Sequence, residues 1–214
     1  MEETRWERLA PLTGLVFVGI IVAVFAIGGE TPDEHDSLAK VQAFYIKHHD
    51  KQTTVAFVAI FALPFLLFFA STLRRALRRA GGTGQLANTA FAGAILAAAG
   101  FGLVSTVHLA LSNAGESVRT LSTVQTLNVL DNNDFIPAAA GVAVFVFAAG
   151  ASAVRHGGLP RWLGWIGVVL GVVAFTPAGF FAFLASGLWI IVASLLLLRA
   201  PAPTRPGVAP APAT

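Results

Sequence analysis

Charged residues divide this chain into long charge-free runs, and those runs constrain its fold more than any other feature. No Asp, Glu, Lys or Arg falls within 9–29, 52–73, 86–111, 135–154 or 162–198. A helix needs about 20 apolar residues to cross about 30 Å of hydrocarbon, at about 1.5 Å per residue. Each of the first four runs approaches or exceeds that length. A soluble domain carries about 25% charged residues; here the figure is 12%, against 56% hydrophobic residues. No soluble core of this size hides so much apolar surface, so the surplus faces lipid. The fold class that follows is all-α, a polytopic transmembrane helix bundle.

The last run is too long for one span, since as a single helix it would extend roughly 55 Å. Thr176-Pro177-Ala178-Gly179 lies inside it and supplies a turn, because Pro ends a helix and Gly relieves the backbone. Splitting there predicts six spans, at about 11–28, 53–73, 86–111, 135–154, 160–175 and 178–198. The fifth is short, and a re-entrant segment stands as its alternative. Residues 1–200 then form one membrane domain, and the Pro/Ala-rich stretch 201–214 reads as a disordered cytoplasmic tail.

Six spans with an inner N-terminus put Arg5, Arg8, Arg74, Arg75, Arg78, Arg79, Arg155, Arg161, Arg199 and Arg205 inside. Only Lys40, Lys47, Lys51 and Arg119 fall outside. The positive-inside rule therefore predicts that both termini are cytoplasmic, in the inner membrane of the cell. The same distribution explains a pI near 10.0 and a net charge of +3 without a nucleic-acid partner. Glu2, Glu3 and Glu7 spoil a basic n-region, and the first apolar run exceeds an h-region, so the start does not read as a cleaved signal peptide.

Chemistry is sparse. Cys is absent from the sequence, which removes thiol catalysis, zinc–thiolate sites and a lipobox. No cofactor is expected. The runs hold no carboxylate and no lysine, whereas ion-coupled transporters keep such groups at about 2.5–3.5 kcal/mol each because function requires them. Pumps, coupled transporters and a retinal Schiff base are disfavoured; a passive or lipid-handling pathway is not.

Several strings resemble a bacterial family of uncharacterised six-helix membrane proteins common in actinobacteria. They are Arg8-Leu-Ala-Pro-Leu-Thr-Gly14, Phe44-Tyr45 with His49, Leu127-Asn-Val-Leu-Asp-Asn132 and Leu159-Pro-Arg-Trp-Leu-Gly-Trp165 followed by Thr176-Pro-Ala-Gly179. The resemblance runs through Arg199 and implies the fold and an envelope location. The family carries a domain-of-unknown-function label, so no catalytic residue is carried over.

His108 is the sole ionisable residue within a span, near the outer end of the third. Gln125, Asn128 and Asp131 recur at three-residue intervals, and a helix over 121–131 would line them along one side. Such a helix, resting on the outer leaflet, would aim Asn128 and Asp131 at His108, with His48 and His49 nearby as further donors and acceptors. An imidazole beside a carboxylate can sense pH, bind a cation or orient a polar headgroup. The plainer alternative is that Asn128 and Asp131 cap helices and His108 bonds a neighbour. Asp33-Glu-His-Asp36 and His48-His-Asp50 bring imidazoles and carboxylates together, but without a metal-site spacing, so no metal is assigned. Asp134 suits an N-cap before Phe135.

Other features concern packing and lipid. Arg74, Arg75, Arg78 and Arg79 suit anionic lipid headgroups, at about 1 kcal/mol per basic residue near the surface, or else only set topology. Pro64 is an interior proline expected to kink the second span and free the Ile60 carbonyl. Gly167 and Gly171 form a GxxxG surface, for packing within the bundle or for a homo-oligomer or another membrane partner. Leu38, Val41 and Tyr45 have helical spacing and predict a helix running into span two.

Three functions follow. The first is a non-enzymatic accessory, sensor or structural membrane subunit, whose constant partner is the lipid bilayer. The second is a small-molecule or lipid transporter. The third is a membrane enzyme with an outward-facing His/Asp site. A dry interior favours the first, a cavity the second, and converging His and Asp side chains the third.

Overall fold

The computed structural model describes residues 8–117 and 121–199. Among them are seven helices: α1 Leu12–Gly28, α2 Leu38–Arg79, α3 Gln85–Ser117, α4 Leu121–Asn133, α5 Ile136–His156, α6 Arg161–Val173 and α7 Gly179–Arg199. Four stretches are long and apolar enough to cross a membrane: α2, α3, α7 and the α4–α5 stretch Ser122–His156. α1 and α6 are shorter apolar helices of 17 and 13 residues. Residues 201–214, expected to form a tail, lie outside the described residues, as do Arg5, Arg119 and Arg205.

The long run 162–198 does divide where Pro177 lies, into α6 and α7. Thr176 sustains the turn: its Oγ1 donates to Val173 O at 2.7 Å and accepts from Ala178 N at 3.2 Å. The helix predicted ahead of span two is present as the first part of α2. Ser37 opens it as an N-cap, its hydroxyl accepting from Lys40 N. The backbone departs from helical angles at His48, with φ −117° and ψ 18°. Pro64 behaves differently from the expected kink: the helix runs on through it, and no non-helical residue marks the position.

α5 packs between α3 and α6, and small residues let the backbones touch. A Cβ built on Gly141 would stand 2.2 Å from Ala97 N, one on Gly100 2.3 Å from Ala138 N, and one on Gly93 2.5 Å from Phe145 N. On the other flank, a Cβ on Gly171 would meet Phe147 Cβ at 2.4 Å, and one on Gly167 would meet Val146 O at 2.9 Å. The GxxxG surface thus packs α6 onto α5, where glycine permits close approach without a lost side chain contact. Trp189, buried, ties α7 to α6 by donating from Nε1 to Leu163 O at 2.9 Å.

These contacts order the helix ends. Gly14 lies against Ser194 and Phe69, Gly82 against His156, and Gly158 against Leu77. Arg8, Arg74, Arg75, Arg78, Arg79, Arg155, Arg161 and Arg199 therefore gather at one end of the bundle. His108, Asp131, Asp134 and the α1–α2 connection occupy the other.

Candidate functional site

The first segment of α2, the end of α3 and α4 make a second, smaller core from Val41, Tyr45, Leu111, Ala114 and Val124. It fixes α4 across the ends of α2 and α3. The three-residue spacing of Gln125, Asn128 and Asp131 then turns a single helix side inward. Asn128 is buried, while Val129 and Leu130 are exposed. The sequence expectation aimed Asn128 and Asp131 at His108 from a helix on the outer leaflet, and the polar row does face the protein.

His108 reaches two of those partners. Its Nδ1 lies 3.1 Å from both Asp131 Oδ1 and Oδ2, and its Nε2 lies 3.0 Å from Gln52 Oε1. Gln52, fully buried, donates from Nε2 to the Gly28 carbonyl at 3.2 Å. A carbonyl oxygen only accepts, so this contact fixes which way the amide points. Gln52 thus presents its oxygen to His108, and Nε2 of the imidazole carries a proton. The network joins α1, α2, α3 and α4 through four residues.

Expected and observed partners differ for the other candidates. Asn128 does not reach for His108; its Nδ2 donates to Asp33 O at 3.0 Å. His48 Nδ1 donates to Phe44 O at 3.0 Å, where α2 breaks, and His49 Nδ1 lies 3.3 Å from Ser112 O. Asp134 is not a cap: Phe135 precedes α5 without a side-chain cap, and both Asp134 carboxyl oxygens are buried with no hydrogen-bond partner among the described residues. Tyr45 Oη, Gln125 Oε1 and Asn128 Oδ1 share that condition. Gln52 was missed by sequence reasoning. Its signal was that of an amide at the head of an apolar run.

The row of amides on α4 also holds the α1–α2 connection. Asn132 Nδ2 donates to Pro32 O at 3.3 Å, Asn128 Nδ2 to Asp33 O, and Gln125 Nε2 to Glu34 O at 3.1 Å. Three consecutive carbonyls are met by three amides at matched spacing. Beyond them the connection is solvated. The His35 backbone N–H and then its ring hold the Asp33 carboxyl below its ordinary value, and the Asp33 contact raises His35. The Lys40 ammonium, 2.7 Å away, lowers Asp36. No group of three or more His, Cys, Asp or Glu among the described residues is arranged to hold a metal ion.

The network forms the polar end of a cleft of about 270 Å³ between α1, α2 and α3. Gln52, Ser105, His108, Asp131 and Thr31 line that end, and Ile21, Val24, Phe25, Val55, Ala56, Ala59, Phe101 and Val104 form apolar walls. Its base is closed by Phe101, whose ring lies 6.0 Å from Phe17 and 6.1 Å from Phe183. At the opposite end of the bundle, Arg74 is engaged by α3: Nε donates to Asn88 Oδ1 at 2.9 Å, and the guanidinium lies 5.2 Å from the Phe91 ring centre. Compared with protein-family models, curated proteins and solved structures, the chain has no match.

Proposed function

We propose that this is a six-span protein of the cell membrane, with both termini cytoplasmic, that serves as a non-enzymatic sensor or accessory subunit. Its site is the outward-facing cleft that ends on Gln52, His108 and Asp131. The carrying observation is that His108 stands at hydrogen-bond distance from Asp131 and Gln52 at the wall of a cleft. Both ring nitrogens are engaged by oxygen atoms that hold protons in place. That supports ligand binding over activation of a nucleophile. Close backbone contact between α3 and α5 supports a fixed bundle over a transport path along that seam.

Gathering of arginines at one end supports the cytoplasmic assignment of that end. The apolar character of α1 and α6 supports counting them as spans, and the likeness of Leu159–Trp165 to the six-helix bacterial family agrees with that count. Arg78 and Arg79, both exposed, are the proposed contacts for anionic headgroups.

Native mass spectrometry of the full chain in lipid nanodiscs tests the site. The wild type is expected to retain an added mass that Gln52→Leu and Asp131→Asn lose. Identical bare spectra for all three would reduce the network to a structural tie. Reporter fusions after Gly84 and at the C-terminus are both expected to read cytoplasmic.

A further inference from the structure

The cleft is half of one character and half of another, and its occupant follows from that division. Val24, Phe25, Val55, Ala59, Phe101 and Val104 wall its length. Phe25 is exposed and Ala59 half-buried, so the walls reach the surface of the bundle that faces lipid. A chain can therefore enter sideways between α1 and α3, and the aromatic rings at the base stop it. A small apolar cleft closed at one end takes a hydrocarbon tail in preference to water.

The polar end selects the head. No lysine or arginine lines the cleft. Its strongest acceptor is the Asp131 carboxyl, with the His108 ring 3.1 Å from it. An anionic head would be desolvated beside a carboxylate with no lysine or arginine in the lining to meet it. A hydroxyl fits: it donates to Asp131 and accepts from Ser105 or Thr31 at the same end. Lys51 is outside the lining, and its ammonium approaches the lining residue Gly29.

Resting on the proposed reading of this site, we infer that the cleft binds a hydroxyl-headed membrane lipid, its tail between α1 and α3 and its hydroxyl on Asp131 and His108. A carboxylate head would meet the Asp131 carboxylate, and an ammonium head offers no acceptor to Ser105 or Thr31.

Photo-crosslinking decides it. The full chain in nanodiscs is exposed to three probes with one diazirine-bearing tail, ending in a primary alcohol, a carboxylate or an amine. The alcohol is expected to label peptides containing Phe25, Val55 or Phe101 about tenfold more than the carboxylate, the difference one charged hydrogen bond makes. Ala59→Trp fills the cleft without touching the polar network and should abolish the labelling; Asp131→Asn should erase the head preference, bringing the alcohol's labelling down to the carboxylate's. Preference for the carboxylate would move the head to Lys51, and preference for the amine would make the pair a cation site; either overturns the hydroxyl assignment but leaves a ligand site. Equal labelling by all three makes the cleft an unselective lipid groove and likewise overturns it. No labelling of the cleft by any probe removes this inference and the proposed site together.

Discussion

The seam between α3 and α5 and the network around His108, which ties α3 to α1, α2 and α4, hold the bundle together by opposite means. Along the seam, Gly93, Gly100 and Gly141 bring backbone against backbone. At the far end, Gln52, His108, Asp131 and the α4 amides bind helices and the α1–α2 connection through directed hydrogen bonds. The contrast shows where tolerance lies. The seam depends on volume and rejects a single added carbon; the network depends on pairing and rejects the loss of one partner.

The seam gives the largest expected effect. Gly141→Leu should cost about 4 kcal/mol or more, because its side chain meets the Ala97 backbone, which cannot move aside. Gly19 has nothing within 4 Å of a built Cβ, so Gly19→Ala should gain up to about 1 kcal/mol from helix propensity. Unfolding of both variants in one detergent measures the difference. Equal stability would mean that the seam has room for a side chain after all.

A smaller loss is expected at the network. His108→Ala should cost about 3 kcal/mol, since it strands a nearly buried Asp131 carboxyl. The double variant with Asp131→Asn should lose less than the sum of the singles, by about 1 kcal/mol or more. Strict additivity would mean that the two side chains are neighbours without being a pair.

Asp134 sharpens the comparison from the other side. Its carboxyl is buried without a partner, so Asp134→Leu should be neutral or stabilising by about 1 kcal/mol. A clear loss of stability in thermal unfolding would reveal that the carboxyl is engaged when the protein is in its membrane.

The smallest effect is a titration. The Asp33 contact holds His35 protonated to higher pH than its ordinary value of 6.5. The contact is complete below that value and is lost as pH rises through the raised one. Both side chains face water, so stability should not follow it. Proton NMR should place the His35 midpoint above 6.5, and Asp33→Asn should return it there. An unchanged midpoint would mean that the contact has no weight in solution.

Much of this was legible in the residues. Charge-free runs located the apolar helices, Pro177 divided the last of them, and the spacing of Leu38, Val41 and Tyr45 announced the start of α2. The three-residue interval of Gln125, Asn128 and Asp131 put them on one side of a helix, and His108 and Asp131 do meet. Two expectations failed for a common reason. Asn128 and Asp134 were assigned by local chemistry, as a site group and a cap, but their environments come from chain segments far away in sequence.

Periodicity and charge, which are local, thus determined that the chain is a bundle of apolar helices and which residues share a helix face. They did not determine which partners those residues meet. α4 shows its polar side to the protein because the carbonyls of Pro32, Asp33 and Glu34 and the imidazole of His108 wait there, and none of these is its neighbour in sequence. Gln52 gained its place in the same way, between Gly28 and His108. Hydrogen bonds are satisfied by whatever the fold brings within about 3 Å, so only the tertiary structure could decide them.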